Sequence, residues 1–344
     1  MSLFYAAFIP GLQNFIAQVI SERLKDAVIH KLLDGAVIFE TETSYDKLNF
    51  FCFNNIFAVI SIMEPAQNSG ALEKHIRAFI GSHSAEEIIA NNSKKFRSFR
   101  IVVSSENIPA AIDEKLRTEA EKCLSRLSGL KVNRSLPDTE FWFLYRRDDS
   151  PNGKNFSVFM KRLTLHASWE KSLHKGELPP PLAWTLCRLA RLSHSDTVID
   201  PFCGYGAIPE EAVKHFHITN FIACDNDKKT AAFVSARFKK LKTSNFVFHQ
   251  SDFALLPSVV AEKSVDAVVT DPPWGLFKEI GDSGFHEKMF EVFGKLLKDG
   301  ARAVVLYAND DSFLKAVPPC FKLENNIPIL LSGKKAAIFL FVKD

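Results

Sequence analysis

Hydrophobic and polar positions change rhythm twice along the chain and divide it into three blocks. In the first, the apolar run "LFYAAFI" ends at Pro10 and Gly11. Leu12, Phe15, Ile16, Val19, Ile20 and Leu24 then recur at helical spacing. "GAVIFETE", "KLNFFCF" and "IFAVISI" follow as short strands, a mixture that predicts a small α+β sandwich closed by the loop residues of "EPAQNSG". From Leu72 the period turns helical through "LEKHIRAFIG" and "SAEEIIANN", before the strand "FRSFRIVVS". A further helix has Pro109 near its first turn and Gly129 just past its end, with Ile112, Leu116, Cys123, Leu124 and Leu127 as its inward stripe. Strands "LKVN", "EFWFLYRR" and "FSVFMKRLTL", the last two joined by the hairpin loop "DDSPNGKN", complete a second α+β unit.

The polar, proline-bearing stretch 166–181 reads as a linker. Beyond it, helices such as "LAWTLCRLARL", "PEEAVKHF", "KKTAAFVSARFKKL" and "HEKMFEVFGKLL" alternate with strands. The strands are "TVIDPF", "FIACD", "FVFHQSD", "VDAVVTDPP", "ARAVVLYAN" and "AAIFLFVKD". Alternation of this kind predicts a doubly wound parallel sheet, whose ligands lie at the C-terminal strand ends. The expected architecture is α/β, with blocks at 1–70 and 71–165, the linker at 166–181 and the sheet domain at 182–344.

Composition narrows the class. An apolar fraction of 47% and a charged fraction of 24% are ordinary for a globular chain. The first 21 residues carry no charge, yet a signal peptide or membrane helix is excluded. No basic n-region precedes them, Pro10 and Gly11 interrupt the segment, and Gln13, Asn14 and Gln18 dilute it. Cysteines 52, 123, 187, 203, 224 and 320 lie far apart without a CxxC pair, which argues against a zinc site or a disulfide framework. Reduced thiols point to the cytoplasm or nucleus. The net charge of +3 is uninformative, but residues 92–171 carry sixteen Lys or Arg against ten Asp or Glu. Lys94, Lys95, Arg97, Arg100, Lys131, Arg134, Arg146, Arg147, Lys161 and Arg162 are among them, either as solvated faces or as a grip for a polyanion.

Four strand tips in the last block carry chemistry. In "DPFCGYG", Asp200 to Gly206, two glycines let backbone approach a ligand and the following helix offers unpaired N–H groups. Pro209 replaces the third glycine of GxGxxG, which disfavours a tightly held pyrophosphate. Asp225 ends "FIACD", where an acid accepts hydrogen bonds from ribose hydroxyls, and Asp227 is the better helix cap. Asp252 ends "HQSD" beside Phe253, a place for an adenine amino group or simply a cap. The fourth tip, "TDPPWG", ends a buried strand in an acid, two rigid prolines and a ring: Asp271, Pro272, Pro273 and Trp274.

Taken together, "DPFCGYGAIPEEA", "ACD", "SD" and "DPPWG" resemble the S-adenosylmethionine-binding and catalytic motifs of Rossmann-fold amino-methyltransferases. The resemblance implies S-adenosylmethionine as cofactor and no metal. Asp200, Phe202, Gly204 and Gly206 would line its methionine end, Asp225 and Asn226 its ribose, and Asp252 and Phe253 its adenine, with Asp271 near the methyl. Upstream, "WFLYRR…FSVFMKRLTLH" followed by "KGELPPPLAWTLCRLARL" is similar to the layout of THUMP-domain RNA methyltransferases. It implies a ferredoxin-like domain at 1–70 and a THUMP RNA-binding domain at 71–165.

What the resemblance implies for activity is methyl transfer to an exocyclic base amine, foremost the 2-amino group of guanosine in the tRNA acceptor stem. The alternatives are a ribosomal or small nuclear RNA, or an inactive RNA-binding protein. Some relatives act with a small zinc-binding activator subunit. Such an amine is a poor nucleophile because its lone pair is delocalised into the ring. Asp271 accepting one N–H and the Pro272 carbonyl the other would turn the lone pair toward the methyl group, and the prolines hold the acceptors in place beforehand. Trp274, larger than the Tyr or Phe common there, would stack on a flipped-out base. Arg134, Arg146, Arg147, Lys161 and Arg162 become the candidates for phosphate contacts.

Overall fold

The computed structural model describes residues 1–48, 50–66, 70–82, 96–106, 108–164, 173–218, 220–241, 246–274, 284–308, 311–331 and 333–344. The expected helix at "SAEEIIANN", Lys94, Lys95, Gly275 and the first half of the linker lie outside these residues. Two compact units emerge: Met1–Phe8 with Gln13–Ser168, and Ile9–Leu12 with Trp169–Asp344.

The first unit is built on one sheet. Its strands are β1 Ser2–Ala7, β2 Val28–Leu33, β3 Ala36–Thr41, β4 Asn55–Met63, β5 Ser98–Ser105, β6 Ile108–Pro109, β7 Lys131–Val132, β8 Thr139–Arg146 and β9 Phe156–Arg162. The order is β2-β3-β1-β4-β9-β8-β5-β6, with β7 also on β5. The antiparallel pairing of β4 with β9 joins the two blocks expected on either side of residue 70 into a continuous sheet. Period-two alternation on β8 serves two cores. Phe141, Phe143 and Tyr145 enter the cluster under helices Ala71–Ser82 and Glu114–Ser128, while Leu144 and Trp142 enter the other. Asp113 caps the second of these helices through the N–H of Leu116 at 3.0 Å, and Gly129 closes it at φ 73°.

One strand carries no signal in the sequence and two local expectations fail, each for an identifiable reason. Val28–Leu33 is a strand although His30 and Lys31 break its apolar pattern, because Asp34 and Gly35, the latter at φ 80°, make a two-residue hairpin to β3. "KLNFFCF" is not a strand: Leu48, Cys52 and Phe53 are buried from a loop, and Phe53 stacks on Phe39 at 6.3 Å. Pro109 belongs to β6 rather than to a helix turn.

Burial also corrects the phosphate-contact candidates. Lys161 is fully buried among Phe96 and Phe141, its ammonium 5.3 and 6.0 Å from the ring centres, and desolvation pushes its pKa down to about 8. Arg162 is buried against Glu140 at 3.1 Å. Arg146 is buried too, donating to the Asp34 carbonyl at 3.0 Å and lying 3.5 Å from Glu106. These three cations hold the first unit together internally and are withdrawn from any phosphate outside it. Arg134 is half-exposed and bound to Glu114 and Glu121, and Arg147 projects into solvent near Glu106.

The second unit carries β10 Thr197–Asp200, β11 Asn220–Cys224, β12 Phe246–His249, β13 Val265–Thr270, β14 Leu297–Ala308, β15 Phe321–Leu331 and β16 Lys334–Lys343. The sheet order is β12-β11-β10-β13-β14-β16-β15; the first five strands are parallel and β16 runs antiparallel to both β14 and β15. Helices Pro180–Leu189, Ala207–Phe216, Lys228–Leu241 and Phe285–Leu296 accompany it. The doubly wound sheet is therefore as expected, with β15 added. Glu324, Asn325, Asn326 and Pro328 disguise that strand in the sequence, and all are tolerable on an edge. Strand order reverses between β10 and β13, so the crevice at their C-terminal ends is where a ligand fits such a sheet. No helix among the described residues is long and apolar enough to cross a membrane.

Candidate active site

Each of the four expected strand tips falls at the C-terminal edge of this sheet. Asp200, fully buried at the end of β10, accepts from Thr270 Oγ1 at 2.7 Å and from the N–H of Phe202 at 3.2 Å, both through Oδ1. Its Oδ2 is buried with no hydrogen-bond partner among the described residues. Burial, with the nearby charges of Asp271 and Asp225 in support, pushes the Asp200 carboxyl up to about 8 against its two hydrogen bonds. An orphaned oxygen in a native fold marks a place where a donor is missing.

Gly204 and Gly206 both need left-handed backbone, at φ 51° and 85°. The Gly204 N–H donates to Asp225 Oδ2 at 2.9 Å, while Asp225 Oδ1 accepts from Asp227 N–H at 2.8 Å. Asp225 thus braces the glycine loop, and each oxygen keeps a lone pair for a further donor. Asn226 is exposed beside it. Asp252 is exposed and takes the cap role, accepting from the N–H of Ala254 at 2.8 Å. Phe202, Phe253 and Phe285 form an aromatic box with ring centres 4.8, 5.5 and 5.8 Å apart.

At the tip of β13, Asp271 Oδ1 accepts from the indole N–H of Trp274 at 2.8 Å. Burial pushes the Asp271 carboxyl up to about 7, and the indole hydrogen bond pulls it the other way. Pro272 is buried, Pro273 exposed and Trp274 half-buried against the core of this unit. The sequence had offered Trp274 only as a stacking plate; its edge also fixes the acid.

The family model described as UPF0020: RMKL-like, methyltransferase domain matches residues 168–320. A probable tRNA (guanine(10)-N2)-dimethyltransferase of Methanothermococcus thermolithotrophicus is 31% identical over 125 residues, covering 34% of this chain and 73% of that protein. The chain belongs to the RMKL-like methyltransferase family. A tRNA (guanine(6)-N2)-methyltransferase of Thermus thermophilus is 26% identical, with 72% of each chain covered. A tRNA (guanine(10)-N2)-dimethyltransferase of Methanocaldococcus jannaschii is 31% identical over 142 residues, of which the chain spans only 39% of that relative's length. The crystal structure of TrmN from Thermus thermophilus superposes over 100% of both chains with a TM-score of 0.76 at 22% identity, a likeness of fold.

In this RMKL-like methyltransferase several neighbours of the site escaped the sequence reading. Thr270 stood within the quoted motif without a role and proves to be the group that aims Asp200. Phe285 and His286 open a helix, and His286 Nε2 meets the Tyr307 hydroxyl at 2.8 Å. Arg237 holds the Tyr205 carbonyl, between the two glycines, at 2.8 Å; it also binds Glu177 at 2.7 Å and Glu210 at 3.1 Å. Among the described residues no cluster of three or more His, Cys, Asp or Glu side chains could hold a metal ion.

Proposed function

We propose that the protein transfers a methyl group from S-adenosylmethionine to the 2-amino group of a guanosine in tRNA, in its acceptor stem. The observation that carries this reading is the tip of β13. There a carboxylate with one oxygen held by Trp274 and a buried, rigid Pro272 stand beside the unpartnered oxygen of Asp200. The names of the relatives supply the nucleobase and the RNA.

The residues present fit the cofactor. Asp200 Oδ2 lacks a donor that the ammonium of a methionine moiety would provide, and the remaining lone pairs of Asp225 suit ribose hydroxyls. Bound S-adenosylmethionine supplies an electrophilic methyl on a sulfonium. Asp271 accepts one N–H of the base amine through its second oxygen and the Pro272 carbonyl accepts the other, which frees the nitrogen lone pair for in-line attack. The amine nitrogen would take that methyl, and the donor would leave as S-adenosylhomocysteine. The surplus proton leaves the aminium to Asp271 or water.

In this reading residues 1–70 and 71–165 are the ferredoxin-like and THUMP parts of an RNA-gripping module, the enzyme works in the cytoplasm, and a small activator subunit of the kind some relatives use is a candidate partner. Arg134 and Arg147, with Asn226, Asp252 and Phe253 on the cofactor side, keep the contact roles assigned to them. Mass spectrometry of nucleosides from small RNA incubated with protein and donor tests the function: N2-methylguanosine should appear. S-adenosylhomocysteine should raise the unfolding temperature, since a micromolar binder at millimolar ligand adds roughly 4 kcal/mol. No shift would withdraw the catalytic reading.

A further inference from the structure

The helix Lys228–Leu241 differs from its neighbours in charge. Its 14 residues include no Asp or Glu, and Lys228, Lys229, Lys239 and Lys240 are all exposed. Lys214, Lys263, Lys288, Lys295 and Lys298 of the same unit each lie within ion-pair distance of a carboxylate. The four lysines of this helix have no such partner among the described residues. Its fifth base, Arg237, is spent internally on Glu177 and Glu210.

Helix physics accounts for half of this arrangement. Lys239 and Lys240 occupy the last turn, where the dipole favours cations. Lys228 and Lys229 occupy the first turn, where it disfavours them, and helix stability gives no reason for them there. Thr230, Ala231, Val234 and Phe238 are the buried face, which leaves Ala232, Ser235 and Ala236 exposed between the two lysine pairs. Lys228 and Lys239 lie in line, as do Lys229 and Lys240, with each pair about 16 Å apart along the axis. A low strip bounded by cations fits an extended chain of negative charges. The strip begins just after Asp225, at the sheet edge that carries the strand tips, and the sulfonium donor has no phosphate to occupy it.

We propose that this face of Lys228–Leu241 is a docking surface for the phosphate backbone of the RNA substrate. The inference rests on the RNA methyltransferase reading above. It assigns part of the grip to the catalytic unit, which matters because Arg146, Lys161 and Arg162 of the first unit are buried. Phosphate contacts of this kind position a substrate without reading its sequence.

Binding of a bulk tRNA preparation by the full chain, measured between roughly 50 and 200 mM salt, tests it. The variant with Lys228→Ala, Lys229→Ala, Lys239→Ala and Lys240→Ala should bind at least about tenfold more weakly at low salt. The slope of log affinity against log salt should shrink by roughly 2 to 4. Affinity for S-adenosylhomocysteine should equal wild type, and the matching Lys→Arg variant should keep the wild-type slope. Unchanged affinity and slope in the alanine variant, with wild type binding tRNA, would overturn this surface alone. A wild-type protein that binds S-adenosylhomocysteine but no tRNA would overturn the functional reading and this surface with it.

Discussion

Asp200 and Asp271 are carboxylates whose burial raises them to about 8 and about 7, from a solution value of 3.8. In the proposed reaction Asp271 holds the amine N–H more strongly as a carboxylate than as a neutral acid. The single-turnover rate should therefore climb with pH to a plateau, with a midpoint displaced upward from the ordinary carboxylate range toward about 7. Trp274→Phe removes the indole donor that holds Asp271 down, and a rate profile measured on that variant should move to higher pH. A midpoint that stays or falls would contradict the assignment. For stability the direction is opposite. A carboxyl raised in the folded state stabilises most below its unfolded value, and that contribution is lost as pH climbs through about 8 for Asp200. The contribution of Asp200 should fall between pH 4 and 8, so Asp200→Asn should flatten that part of the pH dependence of the unfolding temperature while weakening binding of S-adenosylhomocysteine. Thermal melts across the pH range report the first effect and calorimetric titration the second.

At the scale of elements, the glycine loop is clamped by side chains from outside it. Arg237 ties the Tyr205 carbonyl to Glu177, and the Tyr205 ring lies between His174, stacked at 4.3 Å, and the edge of Phe233 at 5.4 Å. Arg237 is a positioning residue. Arg237→Met should raise the dissociation constant of S-adenosylhomocysteine roughly tenfold, while kcat at saturating donor stays within about twofold; a loss confined to kcat would refute the clamp. None of this was legible in the sequence, because Glu177 and Arg237 stand 60 residues apart and neither belongs to a local motif. The strand tips were legible for the reverse reason: Asp200, Asp225, Asp252 and Asp271 each end an apolar run, and a parallel sheet brings such ends to one edge. β2 and β15 hid behind polar residues that edge pairing tolerates, and "KLNFFCF" looked like a strand because a core-filling loop is just as apolar. Basic residues of the first unit misled in another way, since sequence shows charge but not burial.

Across the whole molecule, two compact units support two kinds of task. The first unit is a continuous sheet with Arg146, Lys161 and Arg162 buried in it, so under the proposed function its phosphate contacts fall to exposed groups such as Arg147 and Arg134. The second unit holds the complete set of strand tips, and the proposed chemistry rests on two acceptors, Asp271 and the Pro272 carbonyl, at the end of β13. Methyl transfer from isotopically labelled S-adenosylmethionine to tRNA, compared between wild type and Asp271→Ala at matched occupancy of the donor site, tests that dependence most directly. Wild type should place label in N2-methylguanosine, and the variant should bind S-adenosylhomocysteine equally well while losing at least about 10²-fold in rate. A variant that methylates guanosine at the wild-type rate would contradict the account.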